Sequence, residues 1–154
     1  HPGMNAHYEG DQVPLFTTAN AGLAVAIPNG LVVPVIRHCE GLSIPELAAA
    51  RADIVLRTRE NRLTPDDLEG GTFTISNLGM FGVARFFAVL NPPQVGILAT
   101  GAIEERAVVA GGEVVVRPTM EMTLSCDHRA VDGATASEFL RTIVQLLGEP
   151  GLAL

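Results

Sequence analysis

A histidine flanked by two carboxylates and an arginine lies near the end of the sequence, in the stretch SCDHRAVDG (Ser125–Gly133). Imidazole exchanges protons near neutral pH, so His128 is a candidate general base. It follows an apolar strand-like run and precedes a predicted helix, a junction where side chains often converge on ligands. The structural alternative is a solvated turn, in which Asp127 is a turn residue, Asp132 caps the helix and Arg129 pairs with one of them.

The cysteines and the remaining histidines are weaker candidates for chemistry. Cys126 belongs to the apolar face of an alternating run, so we expect a core thiol rather than a nucleophile. Cys39 stands beside His38, but no second cysteine or histidine follows at the spacing of metal ligands. His38 and His7 are expected to be surface or loop residues, and no metal site is predicted.

Ser76 ends the alternating run GTFTIS and is followed by the glycine-bearing loop NLGMFG. The run lacks the G-x-S-x-G form of a nucleophile elbow, and the loop lacks the G-x-G-x-x-G form of a dinucleotide site. We interpret Gly79 and Gly82 as glycines that the loop needs for its backbone angles. Ser76 is then either a strand-end hydroxyl or a hydrogen-bond donor that points into a site.

Alternating and apolar runs predict the strands that would position these residues. They are expected in two runs around Pro28–Gly30, over Gly71–Ser76, over Val95–Glu105, in a hairpin around Gly111 and Gly112, and over Thr119–Asp127. Pro34 argues against a central position for the second of the early strands. Residues 1–12 are polar and glycine-bearing and are expected to form a loop.

Two helices complete the predicted fold. The first lies within Leu42–Arg62, where Ser43 and Glu46 form a capping box. The second runs from Gly133 to about Leu147 and ends just before Gly148, which suits the position after a helix. Strands with a few flanking helices and a late hairpin predict an α/β fold with a mixed or antiparallel sheet.

Composition narrows the class of protein. The 154 residues are 47% hydrophobic and 18% charged, which suits one folded domain. A net charge of −7, with scattered arginines as the only Lys or Arg residues, argues against nucleic-acid binding. No apolar run is long enough for a membrane span, and two cysteines fit a reducing compartment. Because the chain opens on HPGMNAHYEG, we expect a piece of a larger protein.

The segment DHRAVDG resembles the D-H-R-x-x-D-G signature of dihydrolipoamide acyltransferases, the E2 components of 2-oxo acid dehydrogenase complexes. Three more segments resemble that family's catalytic domain, in the family's order: VAIPNGLVVPVIR (Val25–Arg37), GGTFTISNLGMFG (Gly70–Gly82) and NPPQVGILATGAIEE (Asn91–Glu105). The resemblance implies a chloramphenicol acetyltransferase-like α/β fold, a mixed β-sheet with flanking helices. It also implies that residues 1–154 form a single partial catalytic domain, without the domain's first part and without the lipoyl and peripheral-subunit-binding domains.

Carried over by position, the resemblance makes His128 the general base, Ser76 the hydroxyl that stabilises an oxyanion, and Asp132 the carboxylate that holds the site's structure. It assigns no chemistry to Asp127 or Arg129. The implied substrates are coenzyme A and a lipoyl group carried on another domain, and no metal is implied. The residues that bind coenzyme A cannot be placed. In the family the histidine comes from one subunit of a trimer and the serine from its neighbour.

The resemblance further implies a homotrimer that builds a core of 24 or 60 subunits. This core would meet the E1 and E3 components through the absent domains, in the cytoplasm or, for a eukaryotic protein, in the mitochondrial matrix. TISNLG resembles acetyl and branched-chain enzymes, whereas the succinyl type tends to have threonine at the position of Ser76. We therefore expect acetyl or branched-chain acyl transfer and rank succinyl last. Two alternatives remain: a hydrolase with Ser76, His128 and Asp132 as a triad, and an inactive structural core protein.

Overall fold

The computed structural model describes residues 1–153, which contain seven strands, two α-helices and five short 3-10 turns. The strands are β1 Ala21–Leu23, β2 Val25–Ile27, β3 Gly30–Val32, β4 Val35–Ile36, β5 Phe73–Asn77, β6 Gly96–Ala110 and β7 Glu113–Cys126. The helices are α1 Ile44–Arg59 and α2 Gly133–Gly148, and the 3-10 turns are Pro2–Met4, Cys39–Gly41, Pro65–Leu68, Gly79–Phe81 and Pro150–Ala153. Within this described part, neither helix has the length and apolar character needed to cross a membrane.

Five strands form one mixed sheet in the order β4-β1-β5-β6-β7. β1, β5 and β6 run parallel, whereas β4 and β7 are antiparallel to their neighbours. β2 and β3 pair separately as a hairpin. β4 follows Pro34 and is an edge strand, which agrees with the expectation that this run is not central. The predicted α/β fold with a mixed sheet and flanking helices is confirmed.

The β6–β7 hairpin is longer than the sequence predicts. Its strands have 15 and 14 residues because the separate predicted runs on each side join into one strand. Gly111 and Gly112 form the turn with φ of +62° and +86°, values that suit a two-residue hairpin loop. The register is irregular around Gly101, where a Cβ would lie 1.9 Å from the carbonyl oxygen of Ala84. This glycine therefore allows the chain before β6 to cross close to the strand.

Residues 1–12 form an irregular segment with one 3-10 turn and isolated bridges, in agreement with the predicted loop, but the sequence did not predict that part of it is buried. Met4 and Ala6 are fully buried and pack with Val95 in the core cluster. The backbone N–H of Val95 donates to the carbonyl of Ala6 at 3.2 Å, which places the segment beside the start of β6. His7, expected to be a surface or loop residue, lies in this irregular segment, but its side chain is only 12% exposed and its ring hydrogen-bonds a backbone carbonyl. Few apolar residues mark this segment, so its burial arises from contacts distant in sequence.

The helices follow their predicted caps closely. In α1 the carboxylate of Glu46 accepts from the backbone N–H of Ser43 at 2.8 Å, as the capping box requires. The prediction that α2 ends before Gly148 was wrong by one residue. The backbone N–H of Glu149 donates to the carbonyl of Gln145 at 2.9 Å, which keeps Gly148 inside the last turn and makes Glu149 the C-cap.

The two faces of the sheet are covered by different segments. On one face α2 packs against the sheet, with the rings of Phe73 and Phe139 centred 5.4 Å apart. On the other face an extended segment, residues 83–90, accepts hydrogen bonds from the hydroxyls of Thr123 and Ser125 in β7. Burial alternates along this segment, so every second side chain faces the sheet.

Candidate active site

His128 lies at the exposed tip of the turn that links β7 to α2. The backbone N–H of Asp127 donates to the carbonyl of Val95 at 2.9 Å, which extends the pairing of β6 and β7. The carbonyl of Asp127 in turn accepts from the N–H groups of Ala130 and Val131, at 3.0 and 2.9 Å. Both ends of the turn are therefore anchored, while the imidazole is open to solvent.

Asp127 and Arg129 form a bidentate ion pair across His128. The carboxylate accepts from the guanidinium Nε at 2.9 Å and Nη2 at 2.6 Å, and from the backbone N–H of Arg129 at 3.1 Å. These hydrogen bonds from Arg129 lower the pKa of Asp127 to about 2, so the carboxylate is ionised at neutral pH. The guanidinium also lies 3.9 Å from the centre of the Tyr8 ring. The expectation that Arg129 pairs with a neighbouring aspartate is confirmed, and the aspartate is Asp127.

Asp132 is the N-cap of α2, as its position predicts. Its Oδ1 accepts from the backbone N–H of Thr135 at 2.8 Å, and this bond lowers the pKa of the carboxyl. A smaller contribution in the same direction comes from the charge of His128, four residues earlier. Asp132 therefore fixes the start of the helix that follows the His128 turn.

Ser76 is half-buried near the carboxyl end of β5, opposite Ala99 of β6. Within the described residues its hydroxyl makes no hydrogen bond. The hydroxyls of Thr123 and Ser125 on the same sheet, by contrast, are bonded to backbone carbonyls. The Ser76 donor is therefore not used by a hydrogen bond within the described part of the chain.

A single chain does not bring Ser76 and His128 together. The register aligns Ser76 with Ala99 and Thr123, whereas Cys126, the last residue of β7, lies opposite Gly96 at the start of β6. Ser76 and Cys126 are two strands apart across the sheet and three residues apart along it, which separates their Cα atoms by about 14 Å. His128 lies beyond Cys126. The two side chains therefore stand toward opposite ends of β5.

A cavity of about 680 Å³ in the described chain is not lined by any predicted site residue. It is lined mainly by apolar groups of the N-terminal segment, β1, Phe73 and Phe139. A smaller cavity of about 290 Å³ lies beside Asn77, the neighbour of Ser76, and is lined in part by Met80 and Gly101.

Most of the remaining candidates agree with their structural interpretations. Cys126 packs against the core cluster, and burial raises the pKa of its thiol, so it is a poor nucleophile. The thiol of Cys39 donates to the carbonyl of Ile36 at 3.2 Å. His38 is exposed and His7 lies in the irregular N-terminal segment, so both fit the expectation of surface or loop residues, although the His7 side chain is largely buried. Gly82 has φ of +74°, which supports the backbone role assigned to it. Gly79 has no positive φ, and a glycine is needed there because a Cβ would lie 2.6 Å from the carbonyl oxygen of Gly101.

Tyr8 is the site residue that sequence reasoning missed. It lies 120 residues before His128, in a segment predicted to be a loop, and its ring lies over the Arg129 guanidinium. The spacing of Asp127 and Arg129 in one turn signalled their pairing, but nothing in the sequence linked Tyr8 to them. The contact depends on the N-terminal segment running beside the start of β6.

The whole chain, residues 1–154, matches the family of 2-oxoacid dehydrogenases acyltransferase (catalytic domain), and the chain belongs to this family. The fold agrees with that assignment. Chloramphenicol acetyltransferase, 16% identical, superposes with a TM-score of 0.54 over 91% of this chain and 67% of that chain, which shows the shared fold. The predicted likeness to that fold is therefore confirmed.

Three curated relatives illustrate the range of the family. The chain is 40% identical to the dihydrolipoyllysine-residue acetyltransferase component of pyruvate dehydrogenase complex of Rickettsia bellii, over 99% of this chain. It is 44% identical to the acetyltransferase component of the acetoin cleaving system of Bacillus subtilis, over 97%. It is 42% identical to the succinyltransferase component of 2-oxoglutarate dehydrogenase complex of Haemophilus influenzae, also over 97%. The chain spans only 37 to 38% of the length of these relatives.

Two solved structures match with a TM-score of 0.92 and 33% identity, over 96% of this chain and 62% of each of theirs. One comes from a crystallographic and enzymatic investigation of a serine, a histidine and an asparagine in the catalytic mechanism of Azotobacter vinelandii dihydrolipoamide acetyltransferase. The other is the cubic core of the pyruvate dehydrogenase multienzyme complex.

Proposed function

We propose that this chain is the acyl-transferring part of a dihydrolipoamide acyltransferase, which moves a short acyl group between dihydrolipoyl-lysine and coenzyme A. One observation carries the proposal. Ser76 precedes His128 by 52 residues and Asp132 follows it by four, the same separations as in the serine, histidine and asparagine studied in the Azotobacter vinelandii enzyme. Here the third position holds aspartate instead of asparagine, and both residues can cap a helix.

His128 would act as the general base. A thiol with a pKa of about 8.5 is mostly protonated at neutral pH, and the thiolate is the better nucleophile. An imidazole at the exposed tip of an anchored turn can accept the thiol proton and return it to the leaving thiolate. One thioester is exchanged for another, so the step is nearly thermoneutral and needs no metal or covalent enzyme intermediate.

Ser76 would stabilise the tetrahedral intermediate. Attack on the thioester carbonyl places negative charge on its oxygen, and a fixed hydroxyl can donate a hydrogen bond to that oxygen. Ser76 suits this role because it stands on a strand paired on both sides and its hydroxyl is unengaged by the described residues. Asp132 would keep the start of α2, and thereby the His128 turn, in place.

The separation of Ser76 from His128 supports a site shared between two copies of the chain. One copy would supply His128 and its neighbour Ser76, in a homotrimer that builds a larger core of 24 or 60 subunits. The match to the cubic core of the pyruvate dehydrogenase multienzyme complex supports this assembly. The same shared geometry argues against a hydrolytic triad of Ser76, His128 and Asp132 within one chain. Labelling of Ser76 by a serine-directed phosphonate would favour the hydrolase instead.

The test is complementation between two impaired variants. Full-length His128→Ala and Ser76→Ala proteins are co-expressed in equal amounts and the mixed cores are assayed for transfer from acyl-coenzyme A to dihydrolipoamide. If neighbouring subunits share each site, about a quarter of the sites combine an intact histidine with an intact serine, because subunits mix at random in a symmetric oligomer. Activity near a quarter of wild type supports the shared site, whereas activity no higher than that of the separate variants contradicts it. Wild-type cores mixed with His128→Ala control for assembly.

Acetyl or branched-chain acyl is the proposed cargo, with succinyl ranked last because Ser76 stands where the succinyl type tends to have threonine. Relatives named for acetyl and for succinyl transfer are about equally similar, so overall identity does not decide the cargo. Transfer rates of the full-length protein with acetyl-, isobutyryl- and succinyl-coenzyme A test this order. A highest kcat/KM with succinyl-coenzyme A would overturn it.

The proposed partners follow from the family. In a complete protein, lipoyl and peripheral-subunit-binding domains would bring the lipoyl group and the E1 and E3 components to the core. The bacterial relatives support a cytoplasmic location. Co-purification of the full-length protein with a 2-oxo acid dehydrogenase from its own organism would test the partnership.

A further inference from the structure

A chain of contacts, called here the turn clamp, runs from the ring of Tyr8 to the guanidinium of Arg129 and on to the carboxylate of Asp127. Arg129 and Asp127 are the residues on either side of His128 in the sequence. The guanidinium of Arg129 uses its edge for the carboxylate of Asp127, at 2.9 and 2.6 Å, and its face for the ring of Tyr8, 3.9 Å from the ring centre. A planar guanidinium can make both contacts at once, and a lysine ammonium cannot. The two contacts together fix the plane of Arg129.

Tyr8 is itself held at a fixed place. Its backbone N–H donates to the carbonyl of Pro93 at 2.7 Å, and its side chain packs against the core cluster that contains Val95. Val95 in turn accepts the backbone hydrogen bond of Asp127. Both ends of the turn clamp are therefore anchored to the same short stretch before β6.

The turn clamp contributes little to global stability. The Arg129 side chain is 67% exposed, and exposed ion pairs are worth little because water screens them. The backbone bonds of Asp127 already close the turn without the arginine. What Arg129 adds is a restraint on residues 128 and 129, which lie between those backbone bonds.

We propose that Tyr8 and Arg129 are positioning residues that hold the His128 turn in the orientation required for proton transfer. The inference rests on the proposed role of His128. A misplacement of about 1 Å in a catalytic group can cost about 100-fold in rate. Loosening the turn clamp should therefore lower kcat without weakening substrate binding.

The test compares Tyr8→Leu and Arg129→Lys in the full-length assembled protein. Each is expected to lower kcat by about 10- to 100-fold with little change in KM. The double variant should lose little more than either single variant, because both break one contact chain. Tyr8→Phe should restore most of the rate, since the contact uses the ring face and not the hydroxyl. In the pH profile of kcat/KM, the pH at which the rate falls on the acidic side should be the same in these variants as in the wild-type protein.

A matched control is available in Arg62, which pairs with Glu60 two residues earlier through the same Nε and Nη2 atoms, at an exposed site. Arg62→Lys should leave kcat unchanged. Wild-type kcat in both Tyr8→Leu and Arg129→Lys would overturn the proposal. So would a loss of rate that tracks a fall in melting temperature or in core assembly.

Crystal structures of the variants separate this proposal from the role of His128. A backbone shift of about 0.5 Å or more over residues 127–130 in Tyr8→Leu supports the turn clamp, because catalytic groups must be held within about that tolerance. An unmoved, equally ordered turn contradicts it. If His128→Ala kept full activity, the proposed function would fail, while the displacement of the turn would still report on the clamp itself.

Discussion

The two proposed catalytic side chains lie toward opposite ends of β5, and different kinds of contact hold them in place. At one end, His128 sits in a turn held by backbone bonds, an ion pair and a helix cap. At the other, Ser76 stands directly on a strand whose pairing on both sides fixes its position. The difference indicates that a base on a turn needs several local contacts to be placed, whereas a hydroxyl on a central strand is placed by sheet register alone. Substitutions at four positions test this difference, in order of expected effect.

Replacing His128 by alanine should have the largest effect. Because the imidazole would carry the proton in both directions, we expect His128→Ala to lose about 10²- to 10⁴-fold in transfer rate, while the core still assembles. Steady-state acyl transfer and analytical ultracentrifugation of the full-length variant measure both properties. His38→Ala, at another exposed histidine, serves as the control and should retain activity. Near-wild-type turnover of His128→Ala would contradict the assignment of His128 as the general base.

Replacing Ser76 by alanine should lower kcat by about 10²- to 10³-fold with a smaller change in KM, because the hydroxyl would bond to the oxyanion only as it forms. Ser76→Thr keeps a hydroxyl on the strand and should retain more activity. Ser137→Ala, on the exposed face of α2, is a control for loss of a serine hydroxyl. A rise in KM at constant kcat would show that Ser76 binds substrate rather than the transition state.

Replacing Asp132 should act through the turn and the helix together. Asp132→Ala removes the acceptor for the Thr135 N–H and should lower both the melting temperature and kcat, whereas Asp132→Asn keeps a cap and should lower neither strongly. Calorimetry and steady-state kinetics on the same samples distinguish these outcomes. If Asp132→Asn were as inactive as Asp132→Ala, the charge of Asp132 would matter more than its cap.

The smallest expected effect is on the stability of the fold at acid pH, to which the carboxylate of Asp127 contributes. Its pKa in the folded protein is about 2, below the ordinary 3.8, so the ionised carboxylate stabilises the fold above about pH 4. That contribution is lost as the pH falls from about 4 to about 2. Asp127→Asn should therefore show a shallower fall in melting temperature over this range than wild type. Parallel curves for the two proteins would mean that the pair with Arg129 contributes nothing to folding.

Much of the fold could be predicted because its signals are local. The capping box of Ser43 and Glu46, the cap at Asp132 and the two-glycine hairpin turn each depend on residues a few positions apart. The long β6 and β7 strands were predicted only as fragments that break near Glu105 and near Pro118, whereas in the structure both positions lie inside a continuous strand. Gly101 was correctly placed within a predicted run, but the sequence did not show that another backbone crosses closely there.

The residues of the candidate site were predicted, but their arrangement in space was not. The residue types in the turn, together with their spacing, are enough to single out His128, Asp127, Arg129 and Asp132. The sequence could not show that Ser76 and His128 lie at opposite ends of β5, because that depends on β7 running antiparallel to β6. It also could not show that Tyr8 reaches Arg129.

By itself, the sequence determined what depends on near neighbours: the histidine, aspartates and arginine of one turn, a serine at the end of a strand, a helix cap and a family signature. Tertiary structure decided what depends on contacts between distant segments. It buried Met4 and His7, brought Tyr8 to Arg129, and separated Ser76 from His128 within one chain. Strand order and register set these distances, and neither can be worked out from local spacing.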